Sequence, residues 1–317
     1  MIDPSTVLRQ GLLGLSRSKQ VRQVIENAPV SRDVVRRFVA GVGTDECLSA
    51  VTDLLHGGRL ATIDFLGEDT TDQSHAAYTR DAYLTLLTAL SDAGLTADGK
   101  AEVSVKLSAV GQSLPQDGEQ IALDNARQIC EAAKAAGTTV TIDMEDHTTT
   151  DSTLGIVREL RADFPWVGAV LQAYLHRTEA DCRDFATEGS RIRLCKGAYK
   201  EPESVAYQDK IEVDKSYVRC LKVLMEGAGY PMVASHDPRL IEIAGSLADK
   251  NLREAGSFEF QMLFGIRPDE QQRLAAAGHQ MRVYVPYGDE WYGYLMRRMA
   301  ERPANTMFFM RALASKG

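Results

Sequence analysis

Eight short β-rich runs, each separated from the next by an amphipathic helical stretch, limit how this chain can fold more than any other feature. The runs are RLATIDFL (59–66), AEVSVKLS (101–108), TTVTIDME (138–145), GAVLQAYL (168–175), RIRLCKGA (191–198), PMVASH (231–236), SFEFQML (257–263) and MRVYVP (281–286). Helical periodicity fills the intervals, over Tyr78 to Asp92 before Gly94 and over Ile121 to Ala136 before Gly137. A further helix opens with Asp237 as N-cap and Pro238 in its first turn, and Glu290 to Glu301 is stopped by Pro303. Strands joined by crossovers of this length run parallel, because an antiparallel hairpin needs only a short turn. Eight such units are the number that closes a (β/α)8 barrel. An open doubly wound sheet is the alternative, but no G-x-G-x-x-G follows the first run. The expected fold is therefore α/β, a TIM-type (β/α)8 barrel with an N-terminal helical extension.

That extension covers residues 1–56. It carries three apolar stripes, Val7, Leu8, Leu12 and Leu13, then Val21 to Ile25, then Val34, Val35, Phe38 and Val39, and ends at the turn His56, Gly57, Gly58. A chain of 317 residues has room for two domains of about 150 residues or for one barrel of about 250 with an addition. The run pattern selects the second, with residues 57–317 as the barrel. Lys and Arg number 36 against 44 Asp and Glu, a net charge of −8 that opposes nucleic-acid binding through net positive charge and points to small-molecule chemistry. No apolar run approaches the roughly 20 residues of a membrane span, and the N-terminus lacks a secretory h-region and cleavage site. The expected location is the cytoplasm. The five cysteines are widely spaced without a CxxC pair and the six histidines include no HExxH, so neither a disulfide framework nor a protein-held metal is expected.

In such a barrel the site is built at the C-terminal ends of the strands. That rule selects Asp64, Lys106, Asp143 with Glu145, Gln172, Arg193 with Lys196, His236, Glu259 with Gln261, and Tyr284. Lys106, Asp143 and Gln172 lie within otherwise apolar runs, where an ionised group needs a partner or a ligand. Lys106 and Asp143 come from adjacent runs, which predicts an ion pair between them; a salt bridge that only fixes the strands reads equally well. In RIRLCKGAY, strand alternation puts Arg193, Cys195 and Gly197 on one face and Leu194, Lys196 and Ala198 on the other. Arg and Lys beside a glycine suit a phosphate or carboxylate approached closely by backbone, whereas Lys196 alone fits a Schiff-base lysine. Arg297 and Arg298 follow the eighth run on a helix, where a solvated basic patch is the plainer reading and an anion held at the barrel mouth the sharper one.

Taken together, KLS, TIDME, LQAY, IRLCKGAYKE, ASHD, FEFQMLFGI, VYVPYG and YLMRRMAERPANT, in this order from about residue 60 onward, resemble the proline dehydrogenase family. The resemblance implies a barrel with non-covalent FAD at its C-terminal mouth, oxidising L-proline to Δ1-pyrroline-5-carboxylate by hydride transfer from C5 to the flavin N5. Carried over motif by motif, it assigns Lys106, Asp143, Tyr199, Leu263, Tyr284, Arg297 and Arg298 to substrate and catalysis. It assigns Gln172, Arg193, Lys196, Gly197, Ala198, His236 and Glu301 to FAD, together with Ser235, which stands where the family often has threonine and keeps the hydroxyl. It further implies that a quinone of the membrane takes the electrons, and the charge of −8 with no obvious amphipathic anchor makes any contact at the membrane's inner face a transient one. The interval from Tyr284 to Arg297 resembles the stand-alone bacterial members, and the 16 residues after Glu301 leave no room for a second dehydrogenase domain.

Overall fold

A computed structural model describes residues 35–67 and 70–301, except for the side chains of Arg297, Met299, Ala300 and Glu301. The helices expected around residues 7–13 and 21–25 lie outside the described residues. The elements are α1 (Thr44–His56), β1 (Leu60–Phe65), α2 (Gln73–Asp92), β2 (Ala101–Val105), α3 (Gly118–Ala135), β3 (Val140–Ile142), α4 (Thr150–Asp163), β4 (Gly168–Gln172), α5 (Thr178–Phe185), β5 (Arg191–Cys195), α6 (Lys210–Glu226), β6 (Tyr230–Ala234), α7 (Pro238–Lys250), β7 (Glu259–Leu263), α8 (Pro268–Ala276), β8 (Met281–Tyr287) and α9 (Trp291–Glu301). The eight strands close into a parallel barrel in sequence order. Closure is made by β1 against β8, where Ile63 is level with Val285 on one side and with Val103 of β2 on the other.

Local chemistry explains the boundaries. Asp237 caps α7 by accepting from the Arg239 N–H, with Pro238 in the first turn where its missing donor costs nothing. Asp72 and Asp209 cap α2 and α6 in the same way. The strands are shorter than the apolar runs: β2 and β3 stop at Val105 and Ile142, so Lys106 and Asp143 stand one residue past the strand ends and not within them. Likewise β5 stops at Cys195. The strand alternation expected through residue 198 breaks there, and Lys196, Gly197 and Ala198 all border one cavity.

The outer ring departs from a simple succession of strand and helix. Helix α1 packs against β1 and β8 and sends Cys47, Val51 and Leu54 into the main core, so the element before the barrel fills the place where a helix following β8 would lie. Helix α9 joins a separate cluster of Phe38, Val39, Leu66, Ile266, Trp291, Tyr292 and Leu295, bordered by Leu263 at the barrel mouth. The segment around Phe38 reaches this cluster because Gly265 (φ +73°) lacks a Cβ; one placed there would lie 1.7 Å from the Arg37 carbonyl oxygen. A helix after β8 that lies across the mouth is in position to present side chains to the strand ends.

Candidate active site

One cavity of about 720 Å3 opens at the C-terminal ends of the strands. It is bordered by thirteen of the fifteen residues that the resemblance assigns: Lys106, Asp143, Tyr199, Leu263, Tyr284 and Arg298, and Gln172, Arg193, Lys196, Gly197, Ala198, Ser235 and His236. The side chains of Arg297 and Glu301 lie outside the described residues. Glu259, selected as a strand-end candidate, instead opens β7 and belongs to the opposite end of the barrel.

The floor is a charge network. Lys106 Nζ donates to Asp64 Oδ2 at 2.5 Å and to the Tyr284 hydroxyl at 3.2 Å, and stands 3.7 Å from Asp143 Oδ2. The expected Lys106–Asp143 pair is thus present, but Asp64 is the nearer partner. Asp143 turns its other oxygen to Arg193, whose Nη1 donates at 2.6 Å, and it also accepts from Ser104 Oγ at 2.8 Å and the Tyr284 hydroxyl at 2.7 Å. Burial, then Asp143 and Asp64, push the Tyr284 phenol well above its usual range, so it remains a donor to Asp143. Two cations, Lys106 and Arg193, and two carboxylates, Asp64 and Asp143, balance here. Arg298 adds a further cation from α9, its guanidinium 5.1 Å from the Tyr294 ring centroid.

Above the floor, Gln172 donates to the Glu145 carbonyl at 2.7 Å, and Glu145 accepts from the backbone N–H and hydroxyl of Ser108. His236 Nε2 accepts from the Leu263 N–H at 3.0 Å. A backbone nitrogen can only donate, so in this arrangement the imidazole carries its proton on Nδ1. Ser235 Oγ accepts from the Asp237 N–H at 3.1 Å. Lys196 lies between Asp214 and Asp237, and Arg239 joins the same two carboxylates. This cluster, with Lys210, brings three cations to the first turns of α6 and α7 at one end of the cavity. Lys196 is engaged on two sides by carboxylates and is not presented as an isolated amine, which disfavours the Schiff-base alternative. Burial pushes the Cys195 thiol up to about 12, so it is a wall and not a nucleophile. Among the described residues no group of three or more His, Cys, Asp and Glu is placed to hold a metal.

Asp64 was reachable by the strand-end rule, although no motif of the resemblance includes it. Asp214, Lys210 and Arg239 carried no sequence signal, since they read as ordinary polar positions at helix starts.

A closed parallel barrel whose C-terminal mouth holds a polar, charge-balanced floor beneath an apolar wall defines a barrel enzyme. A family model described as proline dehydrogenase matches residues 47–311. The chain is 38% identical to Proline dehydrogenase 1 of Bacillus subtilis (strain 168) over 310 residues, 98% of this chain and 100% of that one. It is also 38% identical to Proline dehydrogenase of Deinococcus radiodurans over 315 residues, 99% of each chain. Among solved structures it resembles proline utilization A from Bdellovibrio bacteriovorus, inactivated by N-propargylglycine, with a TM-score of 0.77 and 27% identity over 84% of this chain. The match spans 32% of that longer protein. The chain belongs to the proline dehydrogenase family of oxidoreductases.

Proposed function

We propose that this protein oxidises L-proline to Δ1-pyrroline-5-carboxylate with FAD as its cofactor and passes the electrons to an acceptor such as a membrane quinone. The observation that carries this reading is one cavity that gathers a charge-balanced, hydrogen-bonded floor, an apolar wall and a separate cluster of cations. Its volume of about 720 Å3 is far more than a five-membered ring needs and falls within the roughly 300–1,000 Å3 of cofactor-sized sites.

The residues present fit FAD. Met144, Val170, Ala234 and Met262 supply apolar lining for a ring system, and Gln172, Arg193 and His236 supply polar groups in the same cavity. Lys196, Lys210 and Arg239 suit a diphosphate at the start of α7, where the helix dipole also favours negative charge. Gly197, at φ +115°, brings backbone to the cavity in a conformation other residues resist. Bound there, the flavin would supply the two-electron acceptor for the hydride that leaves proline C5.

The chain's own contribution is orientation. Lys106 and Arg298, with Arg297 beside it in sequence, neutralise the substrate carboxylate, and bidentate guanidinium contacts fix which ring carbon faces the cofactor. Asp143 holds Arg193 and the Tyr284 hydroxyl in place, while Leu263, Tyr199 and the ring of Tyr284 exclude water. In this reading residues 57–317 are the catalytic barrel and residues 1–56 its extension. No described helix is long and apolar enough to cross a membrane, so delivery of electrons to a quinone would take place by contact at the membrane's inner face from the cytoplasm.

The absorbance spectrum tests the proposal. Purified protein should show a flavin band that L-proline bleaches anaerobically, and a colourless protein that FAD cannot reconstitute would overturn it.

A further inference from the structure

We propose that Asp64 is a positioning residue for the reaction: it fixes the Lys106 ammonium at the cavity floor so that Lys106 meets the substrate carboxylate. The inference rests on the function proposed above and deepens it.

Asp64 ends the inward-facing row of β1 and is fully buried, held between Ser104 of β2 and Pro286 of β8 by the pairing of the three strands. Its Oδ2 is 2.5 Å from Lys106 Nζ, whereas Asp143 is 3.7 Å away. The difference matters because Asp143 is already engaged by Arg193, Ser104 and Tyr284. With Asp64 neutral, Lys106 would be drawn to Asp143 in competition with those three donors, and its ammonium would leave the position from which it touches both the Tyr284 hydroxyl and the cavity. Asp64 is in turn dependent on Lys106: burial, with Asp143 nearby, leaves its carboxyl above the ordinary value, and the ammonium is the main influence that opposes this and favours its ionised form.

Stability gives a poor account of this pair. Desolvating two charges costs about as much as their attraction returns, and similar-sized apolar residues often serve a fold as well or better. The pair also sits where a structural salt bridge has least to do, at the end of two strands already joined by their backbone ladder, with Lys106 bordering the cavity.

The test uses the holoenzyme and cyclopentanecarboxylate, which keeps the ring and carboxylate of proline but has no amine to oxidise. Calorimetric titration should show Asp64→Asn weakening its binding at least tenfold and Lys106→Met weakening it likewise. The double variant should bind no worse than Lys106→Met, because Asp64 acts through Lys106. In turnover, Asp64→Asn should raise KM for L-proline by a similar factor while kcat changes less than about threefold. A purely structural pair would lower Tm and leave KM and binding unchanged, and that result would overturn the proposal, as would a double variant whose loss is the product of the two single losses. If Asp64→Asn does not accumulate folded, Asp64→Glu replaces it, since the longer carboxylate keeps the charge and displaces the ammonium: at least tenfold weaker binding with Lys106 present, and no further loss in Lys106→Met, supports the assignment, and unchanged binding with Lys106 present refutes it. The two readings separate cleanly, since wild-type protein that binds the carboxylate in this Asp64-dependent way without oxidising L-proline removes the proposed function and leaves the assignment standing.

Discussion

The Tyr284 hydroxyl accepts from Lys106 and donates to Asp143, so one oxygen ties both charges of the cavity floor to an aromatic wall. Tyr284→Phe keeps the ring and deletes both contacts. Hydrogen bonds to charged groups are worth about 1.5–3 kcal/mol, so kcat/KM for L-proline should fall by about tenfold or more, and kinetics equal to wild type would show that the hydroxyl plays no part in orientation. Removing the ring has a different consequence: Tyr284→Ser opens space over the floor and should narrow the preference for proline over 4-hydroxyproline, measured as the ratio of kcat/KM values. Arg298→Ala should act mainly on KM, by a factor corresponding to about 2–5 kcal/mol, because in the proposed function it removes a charge that pairs with the substrate carboxylate. At this scale the sequence spoke through position. A lysine in VSVKLSAV and an aspartate in VTIDME stand out against apolar neighbours, which is why both were found. The Lys106–Asp143 pair followed from their adjacent runs, but the nearer partner Asp64 did not, since which carboxylate meets the ammonium first depends on the strand registers.

Three loops at the mouth behave as one element. The loops after β4 and β5 are stitched by Tyr207 N–H to the Tyr174 carbonyl and His176 N–H to the Val205 carbonyl, with Leu175 bridged to Ala206. The buried Glu201 carboxylate extends the tie to the loop after β3, accepting from the His147 N–H at 2.9 Å and the Tyr174 hydroxyl at 3.2 Å and pairing with the His147 ring. Gly197 sits directly on the Tyr174 ring, where an added Cβ would fall 2.3 Å from a ring carbon. Gly197→Ala therefore meets a positive φ and a fixed aromatic at once. Positive-φ strain alone costs about 1–3 kcal/mol, so the variant should purify with less FAD and bind added FAD at least tenfold more weakly, read from the flavin absorbance relative to protein. Full flavin content in that variant would show that this loop does not shape the cofactor site. Such ties were illegible in advance for a physical reason. Glu201 and His147 are 54 residues apart, and the alternating pattern of RIRLCKGA gives no sign that the strand ends at Cys195. The strands themselves were legible because each carries an outward-facing apolar row, as Ala101, Val103 and Val105 in β2 or Ile192 and Leu194 in β5, alternating with a polar inward-facing row. The place of α1 against β1 and β8 was not, since an amphipathic stripe shows that a helix packs without showing on what.

Across the whole molecule, the barrel interior is divided between a catalytic end and a structural end, both charged. At the far end from the mouth, Glu102 accepts from Thr141 Oγ1 and pairs with Arg191 at 2.7 Å, while Arg282 lies 2.9 Å from Glu259 and 3.9 Å from Glu102. Glu259 also accepts from the Tyr230 hydroxyl and from Gln261, and Gln261 accepts from Arg193 of the cavity floor, so a chain of hydrogen bonds joins the two ends through the barrel axis. Six of the eight strands meet in this lower layer. Burial alone would raise the Glu102 carboxyl, but the guanidinium groups of Arg191 and Arg282 outweigh it and hold the group well below the usual carboxylate range. A folded-state pKa below the unfolded value means that the unfolded chain binds the extra proton first, so this contribution to stability is complete above the unfolded value of 4.5 and is lost as pH falls below it towards the folded pKa. Glu102→Gln leaves the buried Arg282 and the partly buried Arg191 short of a counter-charge and should cost about 3–5 kcal/mol at neutral pH. Because the variant has no carboxylate to protonate there, its unfolding free energy should also fall less steeply than that of wild type as pH drops below 4.5. Urea unfolding across that range measures both. Parallel slopes for the two proteins would mean that acid unfolds the barrel through other carboxylates, and that this layer contributes packing more than charge.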